Sequence, residues 1–525
     1  MLNALFDAKL SAVGFSLAII VLGSFVWELL RYSGLDVEPP PLSKWILGIR
    51  RLIKGIPYLI HGPDVIERAY AKANGKPFVV QTETNQYVLV SSPEHIRELD
   101  QASGKELSLH AAAKELLQPK YTYTAHGFEW PDRRGVESVG FSRTLKTLLT
   151  THLPFLLPTL RETMAQALAQ QLQACETDDE GYKRFPVFSN VKQLVTIVNN
   201  GVFFGKEFSQ NDEFTQAALE YMDLVPAAAE LVKTVPDFIA PFLAKLITRG
   251  HKASNTLHRL LSPVVQKRLE IRAQQDKVSQ ADQPVDCIQW LIDTSPKKDP
   301  WTVTRAVDEI IAVWFSSVPQ LAMTATYALH DLVAHSAHVP SLLSEVEGPS
   351  WGDFRTTTEG LPLLDNFIKE SVRLSPIDSI SCRRKALAPF TFSQGPSVPT
   401  GDWACLPQQA IWRDPQYFPN PQQFDPSRFA RNTTETGDGG NGESPTTSKL
   451  TDVSETWLLW GYGRTACPGR FYATVIIKLL LSNIMMHYDC KLEDKAGKTN
   501  SKFFTWRSSI VPSANMVMLL KPREK

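Results

Sequence analysis

The chain has 525 residues and little cysteine: Cys175, Cys287, Cys382, Cys405, Cys467 and Cys490 lie far apart, with no CxxC pair. Six such residues are too sparse for a disulfide scaffold and wrongly spaced for structural zinc. An excess of one charge is also missing. Fifty-five Lys and Arg balance 55 Asp and Glu, with no basic stripe, which argues against a nucleic-acid-binding protein. No GxGxxG with a following ribose-binding acid occurs, and no GxxxxGK followed by Ser or Thr, so the chain shows no nucleotide-binding domain of its own. Internal repeats and clean composition breaks are absent as well. With 43% hydrophobic residues a large core is available, and one large domain is expected.

What is present begins at the N-terminus. Residues 12–30, AVGFSLAIIVLGSFVWELL, carry Glu28 as their only charge. At about 1.5 Å per residue this run just spans the hydrocarbon layer of a bilayer. Only Lys9 precedes it, whereas Arg31, Lys44, Arg50, Arg51 and Lys54 follow, and this bias places the C-terminal side in the cytosol. A signal anchor over 12–31 after a tail of residues 1–11 is therefore expected rather than a cleaved signal peptide. A Pro-rich hinge over 32–55 would link it to a body spanning 56–525.

Within that body, PFVVQTETNQYVLVSSPEHIRELD reads as two short strands around a polar turn, then a helix opening at Ser92-Pro93. From about 140 to 375 the apolar spacing is helical. The longest candidate, residues 301–336, is apolar on several faces and is expected to be central. Strand-like pieces return at 389–407 with a turn at Pro399-Thr400-Gly401. Residues 431–455 are rich in Gly, Ser and Thr and read as a mobile insertion. A last helix is expected from Pro468 to about 487. The fold class is thus mostly α with a minor β region.

One stretch carries chemistry. WGYGRTACPGRF, residues 460–471, sets a single thiol among glycines and arginines just before a helix. Unpaired helix amides favour an anion and lower a thiol's pKa, while glycines allow close approach of a flat partner. Arg464 and Arg470 can offset anionic groups, and haem, with its iron and propionates, needs both kinds of contact. This stretch resembles the cysteine-ligand loop of the cytochrome P-450 family of haem-thiolate monooxygenases. The matching positions are Trp460, Gly463, Cys467 and Gly469; Thr465 stands where the family usually has a basic residue. Two further signatures precede the loop in the family's order. Glu370 and Arg373 form an i, i+3 pair in FIKESVRLSP, and Arg428 in NPQQFDPSRF matches the arginine that completes a buried ion network.

The resemblance implies haem b with Cys467 as axial ligand, and Trp460, Gly463, Arg464 and Gly469 as cofactor contacts. Arg383 or Arg384 would take a propionate contact and offset the change at Thr465, and Arg143 or Lys146 on the helix covering the haem would assist. The long central helix departs from the family pattern: Ser316-Ser317-Val318-Pro319-Gln320 puts Pro319 at the acid's place and Gln320 at the threonine's. A proline there predicts a local break. Either Ser316, Ser317 or a water carries protons in an ordinary hydroxylation, or Pro319 and Gln320 mark an unusual reaction such as ring expansion, desaturation or rearrangement. A haem-binding membrane protein without turnover is the remote alternative. Phe315, Val318, Ile377 and Ile380 are expected to line the substrate site.

The implied protein resembles fungal microsomal members of secondary metabolism. It would be single-pass in the endoplasmic reticulum membrane with its catalytic domain cytosolic. It would oxidise a small lipophilic terpenoid or polyketide-derived scaffold with dioxygen and electrons from an NADPH-cytochrome reductase, in contact with membrane lipid.

Overall fold

The computed structural model describes residues 42–122, 144–274, 284–295, 301–430, 448–493 and 501–523, with side chains from residue 53 onward. The expected anchor over 12–31 lies outside these residues. Among those described, no helix is long and apolar enough to cross a membrane. The expected hinge is shorter than its 32–55 span, because a helix runs from Leu42 to Ala73 with a kink at His61. The kink has a local cause. Pro63 has no amide to offer the Leu59 carbonyl one turn back, and Arg507 N fills that place at 2.9 Å. Gly62 is required at the same point, since a Cβ there would lie 1.9 Å from the Arg507 carbonyl oxygen.

Phe78–Gln81 and Gln86–Leu89 form the expected hairpin. Ser92 then caps the helix Pro93–Gln101 by accepting from His95 N at 3.3 Å, with proline at the position where a missing amide costs nothing. The hairpin opens a five-stranded sheet that continues through Trp403–Leu406, Ser381–Ala386 and Leu107–Ser108. Its one parallel pair joins Gln86–Leu89 to Trp403–Leu406, with Val88 opposite Ala404. Among the described residues helices make up the rest, beside three smaller sheets, so the architecture is mostly α with a minor β part. A main hydrophobic core runs through the helices, and a second one around Tyr58, Tyr87 and Trp403 lies against the sheet.

Two central helices replace the expected single one: Val303–Ser317 and Pro319–Ala334, divided at Val318. They pack on the helices Val187–Phe204, Lys252–Ala273, Pro362–Leu374 and Arg470–His487. The expected mobile insertion is narrower than 431–455. Residues 431–447 lie outside those described, but Leu450 is fully buried, and Lys369, set against Phe429 and Trp457, donates to the Ser448 hydroxyl and to the Lys449 carbonyl. A buried ammonium between two aromatic faces, with oxygen acceptors, fixes that end of the segment.

Behind these helices Glu370 and Arg373 are both fully buried and meet through two bonds, Nε to Oε2 at 2.7 Å and Nη2 to Oε1 at 2.8 Å. Arg428 adds a third at 3.0 Å, and the Asp425 amide a fourth at 2.9 Å. Replacing Glu370 with alanine leaves two guanidinium groups buried without their counter-charge. The expected loss is about 3–5 kcal/mol of unfolding free energy in denaturant titration, and a change under about 1 kcal/mol would contradict this account.

Candidate active site

The loop before the last helix is held by its own backbone. Cys467 N donates to the Trp460 carbonyl at 2.7 Å, Ala466 N to Gly463 at 3.2 Å, and Gly461 N to Leu458 at 3.0 Å. Trp460 anchors the start by donating its indole N–H to the Leu450 carbonyl at 2.6 Å. Arg470 ties the end, with Nη1 on the Cys467 carbonyl at 3.0 Å and Nε on Thr451 at 3.2 Å. The helix Arg470–His487 follows, two residues later than its expected start at Pro468.

Cys467 itself does not behave as helix-end electrostatics alone would suggest. Burial pushes its thiol above the ordinary value, while the Gly469 amide and Arg470 pull the other way and lose. A thiolate at this place therefore needs a cation of its own, which a metal provides by displacing the proton.

The arginines around the loop are distributed differently from expectation. Arg464, expected on the cofactor, is exposed and turned to Asp100: its amide donates to Oδ1 at 2.9 Å, and Nε lies 3.6 Å from Oδ2. Gly463 answers the same residue, because at φ +59° a Cβ would stand 2.3 Å from the Asp100 carboxyl carbon. Arg383 also points away from the loop, pairing with Asp378 and donating to Ser508 Oγ at 3.1 Å. Of the two arginines, its neighbour is the one at the loop. Arg384, only 4% exposed, donates to the Thr465 hydroxyl at 2.5 Å and to the Arg383 carbonyl at 2.9 Å. A bulge between Ser381 and Arg384, where Cys382 adopts φ +50°, sets which of the two faces Thr465. Lys146 reaches the loop too, donating to the Arg464 carbonyl at 3.1 Å, whereas Arg143 lies outside the described residues.

Among the proposed relay residues, Ser316 and Gln320 are exposed on helices otherwise buried on most sides. Ser317 is not available. Its hydroxyl donates to the Trp314 carbonyl at 2.7 Å and accepts from Asn199 Nδ2 at 2.8 Å. Three of the four expected lining residues pack as core. Val318 is fully buried, Phe315 meets Tyr221 edge-on at 5.6 Å, and Ile380 joins the second core with Tyr58 and Trp403. Ile377 is half-buried, its carbonyl accepting from Ile510 N at 3.0 Å. Helical spacing marks an apolar face, and it does not tell a core face from a cavity face. Asp100, Asn199 and Tyr472 had no signal in the sequence that would single them out.

The residues present suit haem. Cys467 offers a sulfur within the electrostatic reach of the Arg470 guanidinium. A Cβ on Gly469 would meet nothing within 4 Å, leaving room against the loop. Arg384 is a buried cation whose hydrogen bonds reach only neutral acceptors, and burial lowers its pKa, so an anionic group beside it would be stabilised.

The family model described as cytochrome P-450 matches residues 39–518, and the chain belongs to that family. It is a haem-thiolate monooxygenase, an oxidoreductase acting with molecular oxygen, and a cysteine thiolate is the haem's axial ligand. Cytochrome P-450 monooxygenase 151 of Postia placenta is 27% identical over 464 residues, covering 88% of this chain and 89% of that one. Cytochrome P-450 monooxygenase paxP of Penicillium paxilli is 26% identical over 472 residues, covering 88% and 86%. The solved structure of retinoic acid-bound cyanobacterial CYP120A1 matches with a TM-score of 0.63 at 17% identity, over 90% of this chain and 96% of that one, which shows the common fold.

The two neighbouring arginines separate in one experiment. Arg384→Ala should speed transfer of haem to an external acceptor by about tenfold, the worth of one charge-assisted hydrogen bond. Arg383→Ala should leave that rate within about twofold, because its partners are Asp378 and Ser508. Equal rates for the two variants would overturn the assignment.

Proposed function

We propose that this monooxygenase is membrane-anchored and oxidises a small lipophilic molecule of terpenoid or polyketide origin in a biosynthetic pathway. Electrons come from a separate NADPH-cytochrome reductase, and the catalytic domain stands in the cytosol at the endoplasmic reticulum membrane. The fungal monooxygenases that this chain resembles support the setting, and the apolar run at 12–30 supports the anchor. The observation that carries the chemistry is the Cys467 loop with Arg384 buried at Thr465.

When bound, haem with a thiolate ligand supplies the activation of dioxygen for attack on unactivated carbon. The chain's own residues do the rest. Arg470 and the Gly469 amide favour the anionic sulfur and offset part of what burial costs it. Ser316 keeps an exposed hydroxyl oxygen while its proton lies on the Val313 carbonyl at 2.7 Å. Gln320 presents an amide that donates and accepts, with no hydroxyl to exchange. With Ser317 engaged inward, a water between Ser316 and Gln320 is the simplest proton carrier. The broken helix also favours a second reading, in which Pro319 and Gln320 accompany an atypical reaction of the substrate, a ring expansion, desaturation or rearrangement.

Reduction under carbon monoxide tests the first point: the full chain should give a strongly red-shifted Soret band that Cys467→Ala lacks. A folded wild type without that band would remove thiolate ligation from the account. Product masses decide between the two reactions. One added oxygen supports hydroxylation, and substrate formula unchanged or short of two hydrogens supports the second. Ser316→Ala should slow oxygenated product formation by about a hundredfold, the low end for loss of a proton-transfer group.

A further inference from the structure

Asn199 stands inside the helix Val187–Phe204 and is fully buried, where an amide is costly unless its hydrogen bonds are made. They are made on two sides. Its nitrogen donates to the Ser317 hydroxyl at 2.8 Å, with the Ser317 carbonyl at 3.5 Å, and its oxygen accepts from the Tyr472 hydroxyl at 2.7 Å. Ser317 in turn donates to the Trp314 carbonyl at 2.7 Å. Tyr472 lies five residues after Cys467, on the helix that the cysteine loop opens. One amide therefore joins the helix that follows the cysteine loop to the last residue before the break in the central helix.

The break needs such a support. Pro319 has no amide for the Phe315 carbonyl, and both serines bond backward, Ser316 to Val313 and Ser317 to Trp314. Backward bonding of this kind bends helices and does not by itself fix how far. Because Gln320 sits in the first turn of the second half-helix, any change in the bend moves its amide relative to Ser316. A bridge engaging Ser317 from outside the helix selects one bend.

We propose that Asn199 is a positioning residue for the oxygenation reaction: with Tyr472 it clasps Ser317 and so fixes where Ser316 and Gln320 stand. The inference rests on reading Gln320 as part of the site. It acts through the helix break, and neither Asn199 nor Tyr472 need touch substrate.

The test uses the full haem-loaded chain as wild type, Asn199→Ala, Tyr472→Phe, Gln320→Ala and the double variant Asn199→Ala with Gln320→Ala. The first readout is hydrogen–deuterium exchange, which needs no turnover. Loss of the clasp should raise exchange in peptides spanning 313–324 by about tenfold in Asn199→Ala and about threefold in Tyr472→Phe, with peptides of 362–374 unchanged. The second is the share of reducing equivalents released as hydrogen peroxide. It should rise severalfold in Asn199→Ala, and the double variant should not exceed the larger single effect, since both changes act at one place.

Unchanged exchange at 313–324, or a rise spread evenly over the chain, would overturn the clasp. Additive peroxide release in the double variant would overturn its action through Gln320. If Gln320→Ala alone leaves peroxide release unaltered, the reading of Gln320 falls, and the exchange pattern still decides whether Asn199 holds the break. Should Asn199→Ala fail to fold, Tyr472→Phe, which removes one hydroxyl, carries the same exchange test.

Discussion

A carboxylate with no contact to water must have every lone pair answered, and Glu370 is such a group. Its two oxygens take bonds from Arg373, Arg428 and the Asp425 amide, and what those partners do next organises the site's rear wall. Arg373 donates onward to the carbonyls of Trp412 and Pro421 at 2.8 and 2.7 Å, and Arg428 to that of Pro419 at 2.9 Å. The stretch from 412 to 428 has little regular hydrogen bonding of its own, so these guanidinium groups stand in for a ladder. From there the path is aromatic. Trp412 stacks on Trp457 at 5.0 Å, three residues before the tryptophan whose carbonyl receives the Cys467 amide. A buried charge in one helix thereby fixes the approach of the cysteine loop.

What the sequence made legible is what local chemistry decides. Proline after serine opened a helix at Pro93, alternation gave the hairpin at 78–89, and an i, i+3 spacing brought Glu370 to Arg373. Proline also announced the break at Val318, although not its consequence for Ser317. What escaped depends on distant partners. Arg464 is expected at the cofactor from its place in the loop, yet it bonds to Asp100, 364 positions away, whose carboxyl also leaves no room for a Cβ on Gly463. Arg383 and Arg384 alternate across a strand, and only the bulge at Cys382 decides which faces Thr465. That backbone turn has no residue signature, because cysteine is not a residue that favours positive φ.

The thiol shows two opposed effects with a clear winner. A helix start and a nearby arginine lower a cysteine's pKa, and a water-poor pocket raises it; for Cys467 the second is larger. The outcome suits a ligand cysteine. A neutral, partly buried thiol is slow to oxidise while the loop folds, and it becomes an anion when a metal takes the proton's place. Arg384 follows the same logic in reverse, as a cation whose burial is tolerable with neutral acceptors and favourable beside an anion.

The centre of the molecule divides a pair of serines between two tasks. Adjacent residues on a helix point about 100° apart, so Ser316 and Ser317 cannot serve one proton path together. Ser317 faces Asn199 and becomes part of the scaffold; Ser316 stays exposed with Gln320 one turn on. Proline is tolerated between them because Pro319 opens the second half-helix, where no amide is needed, and Ala322 N resumes the ladder on the Val318 carbonyl at 2.9 Å. The cost of the break falls on the preceding turn alone, and there the backward-bonding serines and Asn199 meet it. A residue that would wreck a helix at most positions thus becomes, at this one, the means of separating what holds the site from what lines it.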